Sequence, residues 1–359
     1  MTFSPVKKVL KLLSPLCFLL AAVSLLIYSD IVRQGVLNGL QTCAFVLIPS
    51  LFPFMALSGI LSESRAANTL QKVLAPVTRR FFRLPACTAC AVLMGMIGGY
   101  PVGAKMTAAL LEQKQIDTQT AGRMLCFCVN AGPSFLISAV GAGLLGNLQS
   151  GFLLLCCQWA SALVIGFLLG RKRPLPATDD SPADERQGLP FSSALVRGVQ
   201  SGINGMLSVI GYVLLFSAVL QMLTAFAKTD SRLLSWAAGL LEVTTGCVRA
   251  AAEKDLVLIG FFVSFSGFSV FFQAISFFKG AGPSFLPFFL SRLAHGLITA
   301  LFVKIGTCLF PQTVETVFSN FSHSLNPKIS STPTIAILLI FLCGVLLFSI
   351  STWNFRRLD

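Results

Sequence analysis

Apolar positions fill this chain in runs longer than a soluble helix requires. Residues 12–28, 42–61, 152–170, 205–227 and 334–352 read as apolar segments of about membrane length, the second carrying Pro49 and Pro53. Residues 85–111, 120–146 and 280–310 are equally apolar but broken, at Gly98-Gly99-Tyr100-Pro101, Asn130-Ala131-Gly132-Pro133 and Gly282-Pro283. Residues 255–278 carry a glycine-serine interruption. Proline has no N–H and clashes with the carbonyl four residues back, so such runs cannot be continuous helices. At membrane depth, irregular backbone persists only where protein buries it or where it lines a cavity. The pattern predicts an all-α polytopic membrane protein with interrupted transmembrane helices.

The intervening stretches set the organisation. Residues 1–30 form an N-terminal transmembrane helix, retained because Ile27-Tyr28-Ser29-Asp30 is no small-residue cleavage site. Residues 31–41 and 191–204 are amphipathic, 63–84 polar and basic, and 231–252 a half-polar helix. Residues 171–190, rich in charge and proline, form a cytoplasmic linker between repeat 1 (31–170) and repeat 2 (191–352), with 353–359 as a tail. The repeats are visible as sequence. Val32-Arg33-Gln34-Gly35-Val36-Leu37-Asn38-Gly39 answers to Val196-Arg197-Gly198-Val199-Gln200-Ser201-Gly202 with one deletion, and AGPSFL at 131–136 recurs at 281–286. Gly99-Tyr100-Pro101-Val102 falls opposite Gly267-Phe268-Ser269-Val270, which sets Lys105 opposite Gln273.

Charge then fixes how the broken runs sit. A full crossing by 85–111 would place Arg171-Lys172-Arg173 outside, against the positive-inside tendency. A re-entrant hairpin over 85–112, with arms of about 12 residues or ~18 Å, reaches a little past the middle of a ~30 Å core and keeps the basic loops cytoplasmic. Treating 255–279 likewise gives about seven spans plus two re-entrant helical hairpins, arranged as two inverted repeats with a cytoplasmic N-terminus. Arg356 and Arg357 then fall outside.

Composition narrows the function. The chain is 55% hydrophobic and 11% charged, and its net +13 lies mostly in loops flanking apolar runs, so it controls topology and not nucleic-acid binding. The eleven cysteines lie almost entirely in apolar segments, and with two histidines and no second CxxC no metal or redox site emerges. GxxxxGK[ST], HExxH and GxSxG are absent, so no enzyme and no cofactor is expected; a coupling ion, Na⁺ or H⁺, is left open. The bilayer, a small-molecule substrate of unknown identity and a homo-oligomer are the candidate partners.

The interruptions supply the candidate substrate-binding residues. Pro101, Pro133 and Pro283 each read as the restart of a half-helix after glycine, whose exposed N–H groups favour anionic or strongly polar ligand groups. Gly98, Gly99, Tyr100, Pro101 and Lys105 belong to the first break, and Asn130 and Ser134 to the second. Ser266, Gly267, Ser269 and Gln273 mark the counterpart hairpin, and Ser284 and Arg292 the last broken run. Glu242, the one acid in apolar surroundings, is either a ligand or the neutralising partner of Arg292 or Lys105.

Four motifs together resemble a known family. They are Ile48-Pro49-Ser50-Leu51-Phe52-Pro53-Phe54, Gly98-Gly99-Tyr100-Pro101-Val102-Gly103-Ala104-Lys105, the 130–135 break and Leu240-Leu241-Glu242-Val243-Thr244-Thr245-Gly246. They resemble the YlbJ-type sporulation integral membrane proteins, in the broader group carrying the nucleoside recognition (Gate) domain. That group includes concentrative nucleoside transporters and the membrane part of ferrous-iron transporter B. The resemblance implies an endospore-forming bacterium and a cell-membrane location. Where the nucleoside transporters place several acids and amides at their hairpins, this chain has Lys105 and Gln273. The expected function is secondary transport of a small polar or anionic solute, nucleoside-like ones included, by alternating access. The alternative is a non-transporting membrane assembly protein needed for spore formation.

Overall fold

The computed structural model describes residues 15, 19–20, 22–64, 66–171, 189–226, 232–278 and 282–310. The expected span at 334–352, the loop before it, the tail after it, most of the 171–190 linker and most of the expected N-terminal helix at 1–30 lie outside these residues. Among the described residues every regular element is a helix, and the one other backbone pairing is an isolated bridge between Ser64 and Leu189. Five helices among them are long and apolar enough to cross a membrane, or six if one bent pair counts as a span.

Helix α1 runs from Ser29 to Glu63 without a break, so the amphipathic 31–41 stretch and the apolar 42–61 run are one 35-residue helix. Pro49 and Pro53 do not end it. A wide π turn over Cys43–Leu47 precedes Pro49 and absorbs the hydrogen bond that proline cannot make. α2 (Ala66–Val77) continues through a second wide turn, Thr78–Phe82, to Arg83, which is left-handed at φ 48°. The chain then bends by 107° into α3 (Ala89–Ile97). α4 (Tyr100–Glu112), α5 (Thr118–Cys128), the wide helix α6 (Ser134–Leu144) and α7 (Leu148–Arg171) complete the first half.

The second half opens with α8 (Phe191–Phe226), which again joins an amphipathic stretch to an apolar run in one helix. α9 (Arg232–Leu241) and α10 (Val243–Ala252) follow, then α11 (Leu256–Phe265), α12 (Gly267–Ser276) and α13 (Phe285–Leu309). The expected hairpin at 255–279 is not formed. Residues Leu256–Ser276 make a single 21-residue span whose most apolar window is 83% buried, against 28% for that of α8. Its interruption is one residue wide and lacks proline, so nothing forces the chain to reverse. Phenylalanines seal this central span against α13, with the Phe271 and Phe288 rings 4.8 Å apart.

Two other helix pairs do fold back. A Cβ at Gly103 would come within 3.0 Å of Gly95 Cα, so α3 and α4 reverse at Gly98-Gly99. A Cβ at Gly246 would lie 3.0 Å from Gly239 N, so α9 and α10 reverse at Glu242. The half-polar 231–252 stretch is therefore two helices, not one. Around these pairs, α1 and α8 pack antiparallel through reciprocal glycines. Gly35 and Gly39 near the start of α1 meet Ser217 and Ala218 of α8, while Gly198 and Gly202 near the start of α8 meet Ile60 and Ala56 of α1. Arg197 closes this end with an exposed 3.7 Å ion pair to Glu63.

Candidate functional site

Each back-folded pair presents its tip to the break in the span that follows it. At the first tip Gly99 is left-handed at φ 88°, which only glycine adopts freely. A Cβ on Gly132, in the 130–133 break, would lie 3.2 Å from Gly99 N. At the second tip the partner is Gly267, left-handed at φ 72°, where a Cβ would lie 3.2 Å from Leu241 O and 3.3 Å from Glu242 N. The neighbouring Ser266 is buried and left-handed at φ 79°, a strained conformation for a residue with a side chain.

A narrow cavity lies between these elements. Tyr100 and Pro101 reach it from the first tip, Glu242, Val243 and Thr244 from the second. Phe135 of α6 and Ser269 and Gln273 of α12 face it from the second halves of the two broken spans. Leu47 and Leu51 of α1 and Val209 and Val213 of α8 supply apolar wall. Of the candidate residues, Tyr100, Pro101, Glu242, Ser269 and Gln273 are thus brought together.

Glu242 ion-pairs with neither Lys105 nor Arg292. It is the N-cap of α10: its carboxylate accepts from the amides of Thr244 (2.9 Å) and Thr245 (2.7 Å) and from the Thr245 hydroxyl (2.8 Å). The positive end of α10 therefore balances its charge. Gln273 Nε2 donates to Ser269 Oγ at 3.1 Å, and the buried Thr244 hydroxyl has no partner.

The remaining candidates serve elsewhere. Lys105 donates to Ser201 O on α8 at 2.6 Å and does not line the cavity. Lys105→Met should therefore lower stability by about 1.5–3 kcal/mol, the scale of a charged hydrogen bond, while leaving the cavity groups in place. Thermal unfolding of the purified variant measures this. Asn130, fully buried, donates to Phe127 O at 2.7 Å and holds the end of α3 through Gly95 O (3.4 Å) and Met96 Sδ (3.3 Å). Gly98 closes α3 with its amide on Met94 O at 2.7 Å, and Ser134 starts α6 half-buried. The third expected restart does not interrupt a span: Gly282-Pro283 precedes α13, and Ser284 is exposed at its N-terminus. Arg292 is fully buried and donates to Ser264 O, to Ser266 Oγ (3.3 Å) and to His295 Nδ1 (2.7 Å).

Sequence reasoning missed the residues that tie the first back-folded tip to the central broken span. Trp159 Nε1 donates to Met96 O (3.1 Å) at the end of α3, and its neighbour Gln158 donates to Val263 O (2.9 Å) at the end of α11. The Tyr100 hydroxyl donates to the same Val263 carbonyl at 2.6 Å. Adjacent residues of α7 thus donate to a carbonyl in the last turn of α3 and to one in the last turn of α11. The signal was a pair of side-chain donors set inside an otherwise clean apolar run.

Known proteins share this architecture's sequence. Residues 44–148, which contain the first back-folded pair and the first broken span, match the family model described as Gate, nucleoside recognition. Over 312 residues the chain is 30% identical to the sporulation integral membrane protein YlbJ of Bacillus subtilis (strain 168), covering 75% of this chain and 76% of that protein. No solved structure matches it. The chain belongs to the family of sporulation integral membrane proteins represented by YlbJ.

Proposed function

We propose that this protein is a secondary transporter that moves a small polar or anionic solute across the plasma membrane of a sporulating cell. One observation carries the reading. Both back-folded pairs set their tips against the break of the following span, and both tips line the same cavity. Non-helical backbone beside a cavity at membrane depth is the layout in which transporters hold substrate. The order of elements supports two repeats: a long helix, a back-folded pair and a broken span occur in each half, as α1, α3–α4 and α5–α6, then α8, α9–α10 and α11–α12. The corresponding long helices α1 and α8 pack antiparallel, each laying the glycines near its start against the far end of the other, as expected if the repeats are inverted in the membrane. In this reading the back-folded pairs are re-entrant, and the basic 63–84 and 171–173 stretches and the N-terminus face the cytoplasm. Alternating access is then a rocking of one repeat against the other about the cavity.

Thr244→Val tests it. The substitution removes an unpartnered buried hydroxyl and keeps the shape, so stability should hold or rise by up to about 1 kcal/mol. A transporter that uses this cavity should lose at least about tenfold in function, the worth of one good hydrogen bond to a bound solute. The readout is complementation of the sporulation defect beside protein abundance and Tm. Full complementation by Thr244→Val and by Gln273→Leu would instead point to a membrane assembly protein.

A further inference from the structure

We infer that a single halide-sized anion resides in the protein interior at Arg292, outside the transport cavity. The guanidinium is fully buried and always charged. Only its Nη2 group is used: Nε and Nη1 have no partner. Because arginine cannot accept, His295 Nδ1 accepts from it, so His295 carries its proton on Nε2 and donates that to Gln158 O at 3.1 Å. His295 is thereby neutral and adds no charge of either sign.

Among the described residues no carboxylate pairs with the cation. Besides His295, the titratable groups around Arg292 are Tyr100, Cys126 and Cys128. Glu242 is committed to the α10 N-terminus. The C-terminal carbonyls of α11 offer about half a negative charge. What is left is an uncompensated buried cation, which structures rarely tolerate at membrane depth.

The unspent groups favour an anion. Besides the two guanidinium positions, the hydroxyl of Ser264, whose backbone carbonyl accepts from Arg292, is buried without a partner. Gln158 Oε1, in the residue whose backbone carbonyl accepts from His295, is an unspent acceptor, which a hydrogen-bonded water could satisfy. Arg292, His295, Gln158 and Ser264 are all fully buried, and the Ser161–Thr299 hydroxyl pair (2.5 Å) lies one turn further along the same helices. Such enclosure suits a monatomic ion better than an organic one.

The test compares sodium chloride with sodium gluconate at constant ionic strength, using the full chain in detergent. Tm should climb by several degrees with the logarithm of chloride concentration, as expected for a ligand bound only by the folded state. The climb should vanish in Arg292→Gln. Bromide should replace chloride and give an anomalous peak beside the guanidinium in crystals of the unaltered protein, which covers the case in which the variant does not fold. Equal Tm in chloride and gluconate overturns the inference, and so does a bromide peak at crystal concentration without any effect on Tm. A chloride response that persists in Arg292→Gln also overturns it, by locating the ion elsewhere.

Discussion

Gly103→Ala should remove about 3 kcal/mol of stability, the upper part of the range for overpacking a filled interior, and the protein should fail to accumulate in the membrane. The reason is geometric. A Cβ at Gly103 would overlap the Cys128 carbonyl oxygen, lie 2.9 Å from Cys128 C and 3.0 Å from Gly95 Cα. All three are backbone atoms, so no side chain can turn away to make room. Gly246→Ala should behave alike, since its Cβ would run into Gly239 Cα at the other back-folded pair. Gly211 is the control: nothing lies within 4 Å of a Cβ there, and Gly211→Ala should stabilise α8 by about 0.5–1 kcal/mol through reduced backbone entropy. Thermal unfolding of the three variants decides the matter. An unchanged Tm in both Gly103→Ala and Gly246→Ala would mean that the helix pairs do not close as described.

Glu242→Ala should be the most damaging single change at the cavity, costing about 2–4 kcal/mol as two buried amides lose their acceptor and α10 loses its cap. Glu242→Gln keeps one acceptor oxygen and the shape, so its cost should be nearer 1 kcal/mol. If the cavity carries solute, both should abolish transport, since the neutral amide changes the one charge that lines the cavity. Coupling separates the cap from an ion pair. The Lys105 ammonium is bound to Ser201 O and Glu242 to the α10 amides. The losses in Glu242→Ala and Lys105→Met should therefore add within about 0.5 kcal/mol in the double variant. Strong non-additivity would restore the ion pair that the sequence suggested.

Much of this architecture was readable from the chain. The first back-folded pair followed from Gly98-Gly99-Tyr100-Pro101, because glycine supplies the left-handed turn and proline the restart. The Asn130–Pro133 break declared itself by the same chemistry. The second half misled. Its hairpin turns at Glu242 without glycine or proline at the tip, and the carboxylate itself caps the restarted helix. The glycines that pin it, Gly239 and Gly246, flank the tip much as Gly95 and Gly103 flank the first, but spacing alone did not single them out. The repeated AGPSFL drew attention to Gly282-Pro283, whereas the break inside the central 256–276 span lies at Ser266-Gly267. Identical letters there serve an interior restart in one place and an exposed helix start in the other.

The sequence by itself determined the membrane class, the broken segments and the polar residues set within apolar runs, because hydrophobic length and backbone chemistry are local properties. Only the tertiary structure decided which breaks meet and where each polar group is spent. Lys105 went to a carbonyl of α8, Arg292 to the end of α11 and Glu242 to the start of α10, leaving a cavity faced by Tyr100, Glu242, Thr244, Ser269 and Gln273. A buried polar side chain must find a partner among groups that folding brings near, and the chain records that need without recording the partner.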